Sequence, residues 1–135
     1  MSINYKASYG SLYTIGASNA TVLALLGGAS SVFAREQLGN TSGRVLPWLV
    51  WSHDAVAGER GEMSDLNAAW WVYVAPNGNI RTLYDIAAAL DTAYLNVFAV
   101  TAGRITMGKP GKPFVDTALN GLQGIRMPLR YRALG

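Results

Sequence analysis

The 135 residues carry 11 Lys and Arg against 8 Asp and Glu, a formal charge of +3, and half of them are apolar. That length suits a single domain over residues 1–135 with one hydrophobic core, and the apolar share excludes general disorder. Without Cys there is no disulfide, thiolate metal site or Cys nucleophile. No basic start followed by an apolar run suggests a secretory signal, and no stretch reaches the roughly 18 uninterrupted apolar residues of a membrane span, so no membrane partner is expected.

In chain order, residues 1–10 mix Tyr, Ser, Gly and Lys without a firm period and read as a flexible arm. From Ser11 onward, Leu12, Ile15, Val22, Leu23 and Leu26 stack on one side of a helix over about 11–26, closed by Gly27 and Gly28. Gly16, Thr21 and Val22 lower its propensity, so tertiary packing has to hold it. A helical turn over 30–38 would point Val32 and Phe33 inward, and 39–43 reads as loop. Residues 45–51 form a strand with Pro47 at its start or on an edge; alternation puts Trp48 and Val50 on one face and Leu49 and Trp51 on the other. Residues 52–67, which hold four acids (Asp54, Glu59, Glu62, Asp65) and the only His, read as a long exposed loop of a kind compact domains seldom keep without using it.

Residues 68–75 make a second Trp-bearing strand, paired with the first and ended by Pro76-Asn77-Gly78. The helix signal is clearest over about 79–95, where Asn79 is the cap and Ile80, Leu83, Tyr84, Ala87, Leu90, Tyr94 and Leu95 trace one stripe, with Arg81 and Asp85 outside. Strand material over 96–107, a basic turn-rich loop over 108–113 and an ambiguous stretch over 114–122 follow. The last strand, 125–131, alternates Arg126, Pro128 and Arg130 with Met127, Leu129 and Tyr131, and Pro128 marks it as an edge. The fold class is α+β: a single mixed or antiparallel sheet with the long helix packed on it and a helix near the N-terminus.

Chemistry is hard to find in this pattern, and no catalytic, cofactor or metal residue is assigned. His53 beside Asp54 has no partner group to make it a general base, and Glu59, Glu62 and Asp65 lack the spacing of an EF-hand loop. Residues 103–109 do not fit a phosphate loop, since Gly108-Lys109 is followed by Pro110. The residues point instead to surface recognition. Neighbours in a strand face opposite ways, so Trp70 and Trp71 cannot enter one core; one of them lies under a second helix layer or at a subunit contact. Charge is segregated as well: residues 36–91 hold seven acids and three bases, a balance of −4, while residues 100–135 hold six bases and one acid, a balance of +5. Faces of opposite sign favour head-to-tail or ring assembly. No aromatic-rich basic motif accompanies the basic end. The candidate interface residues are Trp48, Trp51, Trp70, Trp71, His53, Glu59, Glu62, Asp65, Arg104, Lys109, Lys112, Arg126 and Arg130. Two competing classes remain: a small binding domain with a pocket near Trp48 and Tyr73, and a metal-dependent hydrolase using His53 with Asp54, Glu59 or Asp65.

The order of helix, Gly27-Gly28, loop, Leu46-Pro47-Trp48-Leu49-Val50-Trp51, long loop, Trp70-Trp71-Val72-Tyr73-Val74 and then Leu83-Tyr84-Asp85-Ile86-Ala87-Ala88-Ala89-Leu90 resembles the tail terminator or tail-completion proteins of long-tailed bacteriophages, and related minor head-tail joining proteins. The likeness covers roughly residues 22–90 and includes no catalytic group. It implies a structural, ring-forming subunit, commonly a hexamer, that caps the tail tube protein and meets the head-tail connector or stopper protein. Such a subunit sits in the tail or neck of the virion after assembly in the host cytoplasm, and basic residues such as Arg104, Lys109 or Lys112 could touch DNA in the lumen. The chain departs from the family in the longer stretch at 52–67 and the longer segment after Leu95.

Overall fold

The computed structural model describes residues 5–53, 57–60, 63–95 and 103–134. In chain order its elements are α1 (Tyr5–Ala17), α2 (Ala20–Ala24), β1 (Val32–Ala34), β2 (Trp48–His53), β3 (Ala57–Arg60), β4 (Met63–Val74), α3 (Ile80–Tyr94), β5 (Gly103–Met107), β6 (Phe114–Asp116) and β7 (Leu122–Leu134). Short 3-10 turns occupy Ala29–Ser31, Arg35–Gly39 and Thr117–Leu119. The seven strands form one sheet in the order β1-β2-β4-β7-β5, with β3 also on β4 and β6 also on β7. Only β1 with β2 is parallel, so the sheet is mixed and the α+β expectation holds.

The two longest strands form the spine. β4 and β7 pair antiparallel from Met63 opposite Leu134 to Val74 opposite Gln123. On the other side of β4, β2 sets Trp51 opposite Trp70 and Val50 opposite Trp71, the pairing expected of two successive Trp-bearing strands. Strict alternation then sorts β7: Met127, Leu129 and Tyr131 are buried, Arg126 and Pro128 half-buried, and Arg130 exposed. Pro128 does not mark an edge, because β7 lies between β4 and β5. Its carbonyl accepts from Gly108 N at 2.8 Å, one residue beyond the end of β5. In an antiparallel ladder a residue's N–H and C=O point to the same neighbour, so the missing N–H falls where the β5 ladder has already ended.

Among the described residues the α-helices cover one face. Leu49, Trp51, Leu66, Trp70, Val72, Ile125, Met127, Leu129 and Tyr131 on the sheet meet Tyr9 and Leu12 of α1, Val22 of α2 and the inner side of α3 in one buried cluster. Helix α3 starts where Asn79 predicts: the Asn79 side-chain oxygen accepts from Arg81 N at 2.9 Å. Its buried stripe is Leu83, Ile86, Ala87, Leu90, Ala93 and Tyr94. Ile80, Tyr84 and Leu95 are exposed, so the stripe is rotated from the one the spacing suggests.

Four other expectations are corrected. The arm expected over 1–10 is helical from Tyr5, because Tyr9, Leu12 and Tyr13 present a helical stripe that continues through Gly16 onto the sheet. A Cβ at Gly16 would stand 2.8 Å from the Trp70 indole, so this glycine is what lets α1 settle on the ring. The helix expected over 11–26 is two: α1 ends at Ala17, and Asn19 caps α2 by accepting from Val22 N at 3.0 Å. Gly27 follows because a Cβ there would lie 2.1 Å from the Val45 carbonyl oxygen, while its N–H bonds Pro47 O at 3.1 Å. The loop expected over 52–67 is largely strand: β2 runs to His53, β3 spans Ala57–Arg60 and β4 begins at Met63. Pairing with β7 outweighs the weak β-propensity of its acids and glycines. The helical turn expected over 30–38 is also interrupted, by β1, although Phe33 is buried as expected.

Candidate functional site

Among the described residues no α-helix packs on the other face of the sheet, where the 3-10 turns at Arg35–Gly39 and Thr117–Leu119 contribute Leu38 and Leu119. Cross-strand register sets Tyr73, Trp71, Ala69, Asn67 and Asp65 of β4 opposite Gly124, Arg126, Pro128, Arg130 and Arg132 of β7. At one end of this face an aromatic cluster gathers Phe33, Trp48, Val50, Tyr73 and Leu122, with Trp71 and Phe114 packed against it. Phe33 meets Trp48 edge-on at 5.5 Å, and Phe114 meets Trp71 at 6.0 Å and Tyr73 at 6.1 Å in the same way. Guanidinium groups close the cluster from above. Arg35 lies 4.1 Å from the centre of the Trp71 ring and donates to the Tyr73 hydroxyl at 3.4 Å. Arg126 lies 5.5 Å from the Trp71 ring, and Arg44 lies 4.2 Å from that of Phe33. Burial pushes the Tyr73 hydroxyl above its ordinary pKa of 10.0; the Arg35 hydrogen bond and charge pull it back, and Asp116 pushes it further up.

The four tryptophans therefore separate. Trp70 is fully buried on the helix side, where its Nε1 donates to Tyr94 Oη at 2.8 Å and Tyr94 in turn donates to the Leu12 carbonyl. Trp51 is buried against Trp70 at 4.7 Å, and Trp48 is buried in the aromatic cluster with its Nε1 on Arg44 O at 3.1 Å. Trp71 alone of the four is half-exposed, and its Nε1 donates to Ser52 Oγ at 2.8 Å. The chain thus resolves the conflict between Trp70 and Trp71 by giving them opposite faces. With Trp48 and Tyr73 both buried, their neighbourhood is a packed cluster instead of a pocket.

The remaining candidates scatter. His53 is exposed at the end of β2, stacked on Tyr9 at 4.3 Å, beside a cleft of about 650 Å³ between α1 and β1. Lys109 is exposed on the helix side, lining a groove of about 330 Å³ with Tyr84, Asp91 and Met107. Lys112 is exposed in the loop between β5 and β6. Glu59 lies in β3 and Arg104 in β5, and backbone register sets both Asp65 and Arg104 opposite Arg132. Asp54 and Glu62 lie outside the described residues. Among the described residues no group of three or more His, Cys, Asp or Glu could hold a metal ion. The residues that sequence reasoning missed are Arg35 and Arg44, together with Phe33 and Phe114. They come from separate segments, and only the β-alternation of Trp71 against Trp70 hints that something must cover this face.

No protein-family model matches the chain, and no curated protein matches it in sequence. Its fold has a solved counterpart. A chain in the structure of the virion of a native gene transfer agent particle shares it with a TM-score of 0.70 and 19% identity, over 96% of each chain. The correspondence includes both halves of the molecule, whereas the tail-terminator resemblance of the sequence reaches only from about residue 22 to 90.

Proposed function

We propose that the chain is a non-catalytic structural subunit of a phage-like virion, closing into a ring that ends the tail tube and joins it to the head connector. The observation that carries this reading is the match of fold over 96% of the chain to a chain of a gene transfer agent virion. The sequence resemblance to tail terminators points the same way from its own motifs.

The sheet supplies a means of assembly. Among the described residues β1 and β5 lie at opposite ends of the strand order, each paired on one side only. Two unlike edges on opposite sides are what a head-to-tail contact between copies uses, and such contacts close into rings when the rotation per subunit allows. The half-exposed Trp71 and the loop bearing Lys109 and Lys112 are candidate contacts with a neighbouring copy, a tube ring or a connector.

Native mass measured over a range of concentrations tests the reading. A discrete species of about six copies, or one growing with concentration, supports it. A strict monomer that also fails to join the end of purified tail tubes removes it, and leaves another neck role, as stopper or adaptor, or a small binding domain.

A further inference from the structure

We propose that edge strand β6 of one copy adds to edge strand β1 of the next, carrying the sheet across the subunit boundary and seating Val115 in the cleft beneath α1. The inference rests on the ring reading and names the contact that closes the ring.

The two strands lie on opposite edges of the molecule. Among the described residues β1 pairs only with β2. Strand β4 occupies one side of β7 along its length, so β5, the loop donors Gly108 and Gly111, and β6 all share the other side. Both β1 and β6 are three residues long. An edge strand turns alternate N–H and C=O groups outward, and the edge of another strand can satisfy them.

What selects this pairing is that both faces match when the sheet continues. Register sets Val115 opposite Gln123, and Gln123 opposite Val74 of the helix-side core, so Val115 points to the helix side. It is nevertheless 63% exposed. A single exposed apolar side chain is ordinary in itself; the empty space on the same face at the other edge is what gives it meaning. There Val32 and Ala34 of β1, opposite Leu49 and Trp51, face the helix side, and a cleft of about 650 Å³ separates them from α1, with Trp51 and Tyr13 also in its lining. Gly10 of α1 lines it too, and a Cβ placed there would meet no described atom within 4 Å. On the opposite face, Phe114 and Asp116 would come alongside Phe33 and the Arg44 guanidinium that lies over it. Within its own copy Arg44 donates to neutral oxygens, Ser30 O at 2.5 Å and Gln37 Oε1 at 3.3 Å, while the Asp116 carboxylate accepts from Ala118 N at 3.1 Å. A carboxylate has further lone pairs for a guanidinium. One continuation of the sheet thus sets apolar side chain against apolar cleft and carboxylate against cation.

The test compares the full chain with Val115→Asp, which changes an exposed side chain, and Gly10→Phe, which fills the cleft. Native mass over a range of concentrations should show self-association weakened at least about tenfold in each, with circular dichroism unchanged. Mixing the two variants should give a dimer and nothing larger, because one copy keeps only a working cleft and the other only a working strand. Because the chain has no Cys, a short bismaleimide should link the double variant Gly10→Cys, Val115→Cys into a ladder of multimers, and leave Lys109→Cys, Val115→Cys, with both thiols on one edge, without a ladder. Oligomers that survive both Val115→Asp and Gly10→Phe overturn this contact and leave the ring reading standing. A mixture of those variants that rebuilds the full oligomer also overturns it. A chain that is monomeric at every concentration and gives no ladder overturns the contact as well, while its joining to tail tubes still decides the ring reading separately. A ladder from a chain that is otherwise monomeric supports the contact as a weak one that a partner ring completes.

Discussion

The two faces of the sheet are built from the same strands, residue by residue in alternation, yet they are held in different ways. On the helix side Trp70 is sealed by α1, α3 and a hydrogen-bonded chain through Tyr94 to Leu12. On the other side Trp71, its immediate neighbour, is covered by guanidinium groups and a few loop residues. The first face is fixed by close packing. The second is closely packed at Phe33, Trp48, Val50 and Tyr73, but around Trp71 it is held by contacts that water and ions can reach and that a partner could replace, which is the condition a recognition surface needs.

Substitutions can break this contrast. Trp70→Ala should cost about 3–5 kcal/mol in denaturant unfolding, from the lost burial of the indole and the lost N–H that the Tyr94 oxygen accepts. A cost no larger than that of Trp71→Ala would mean the faces are equivalent. Gly16→Val should cost about 1–3 kcal/mol, because the new side chain meets the Trp70 ring and α1 must lift; no change in the near-ultraviolet signal of the tryptophans would show that α1 does not sit there.

Tyr94 sharpens the contrast through pH. Burial raises its hydroxyl above the ordinary 10.0, with the Trp70 hydrogen bond opposing in part. Below pH 10 the folded and unfolded chains both keep the proton. Above it the unfolded chain releases the proton while the folded chain holds it, so stability falls as pH rises past 10.0 and on through the folded value. Tyr94→Phe should cost about 1–2 kcal/mol at neutral pH and make the alkaline fall of the melting temperature shallower. An unaltered alkaline profile would place the titration elsewhere. Trp71→Ala should give the smallest effect, about 1 kcal/mol from lost cation–π contacts and partial burial, with native circular dichroism retained.

Much of the helix-covered half was legible from residue order. The β-prone apolar run at 45–51, the alternation in the last strand, and the Asn79 cap before a 3.6-residue period are local signals, and each names its element. What could not be read depends on distant partners. The acidic stretch after His53 becomes strand because β7 pairs with it, and no local propensity announces that. Helix α1 carries its stripe through a glycine, which a search for apolar residues passes over although Gly16 is the contact point. The cover on Trp71 was invisible for the same reason: Arg35, Arg126 and Trp71 come from segments far apart in the chain. The charge blocks were legible, but their expected consequence changes on folding, since β4, from the acidic block, and β7, from the basic block, are neighbours in one sheet and set Asp65 opposite Arg132.

The position of β7 has a bearing on synthesis. Among the described strands, the last in chain order is the one that lies between β4 and β5 and carries β6 as well. A chain emerging at about 5–20 residues per second has all its other strands before it has the one that joins them. Until then β4 presents an unpaired edge along its whole length, and β5 and β6 have nothing to pair with. The sheet therefore cannot complete until β7 has been made, and a ribosome that stops before Leu122 releases a chain with the β7-facing edge of β4 open to pairing with another copy.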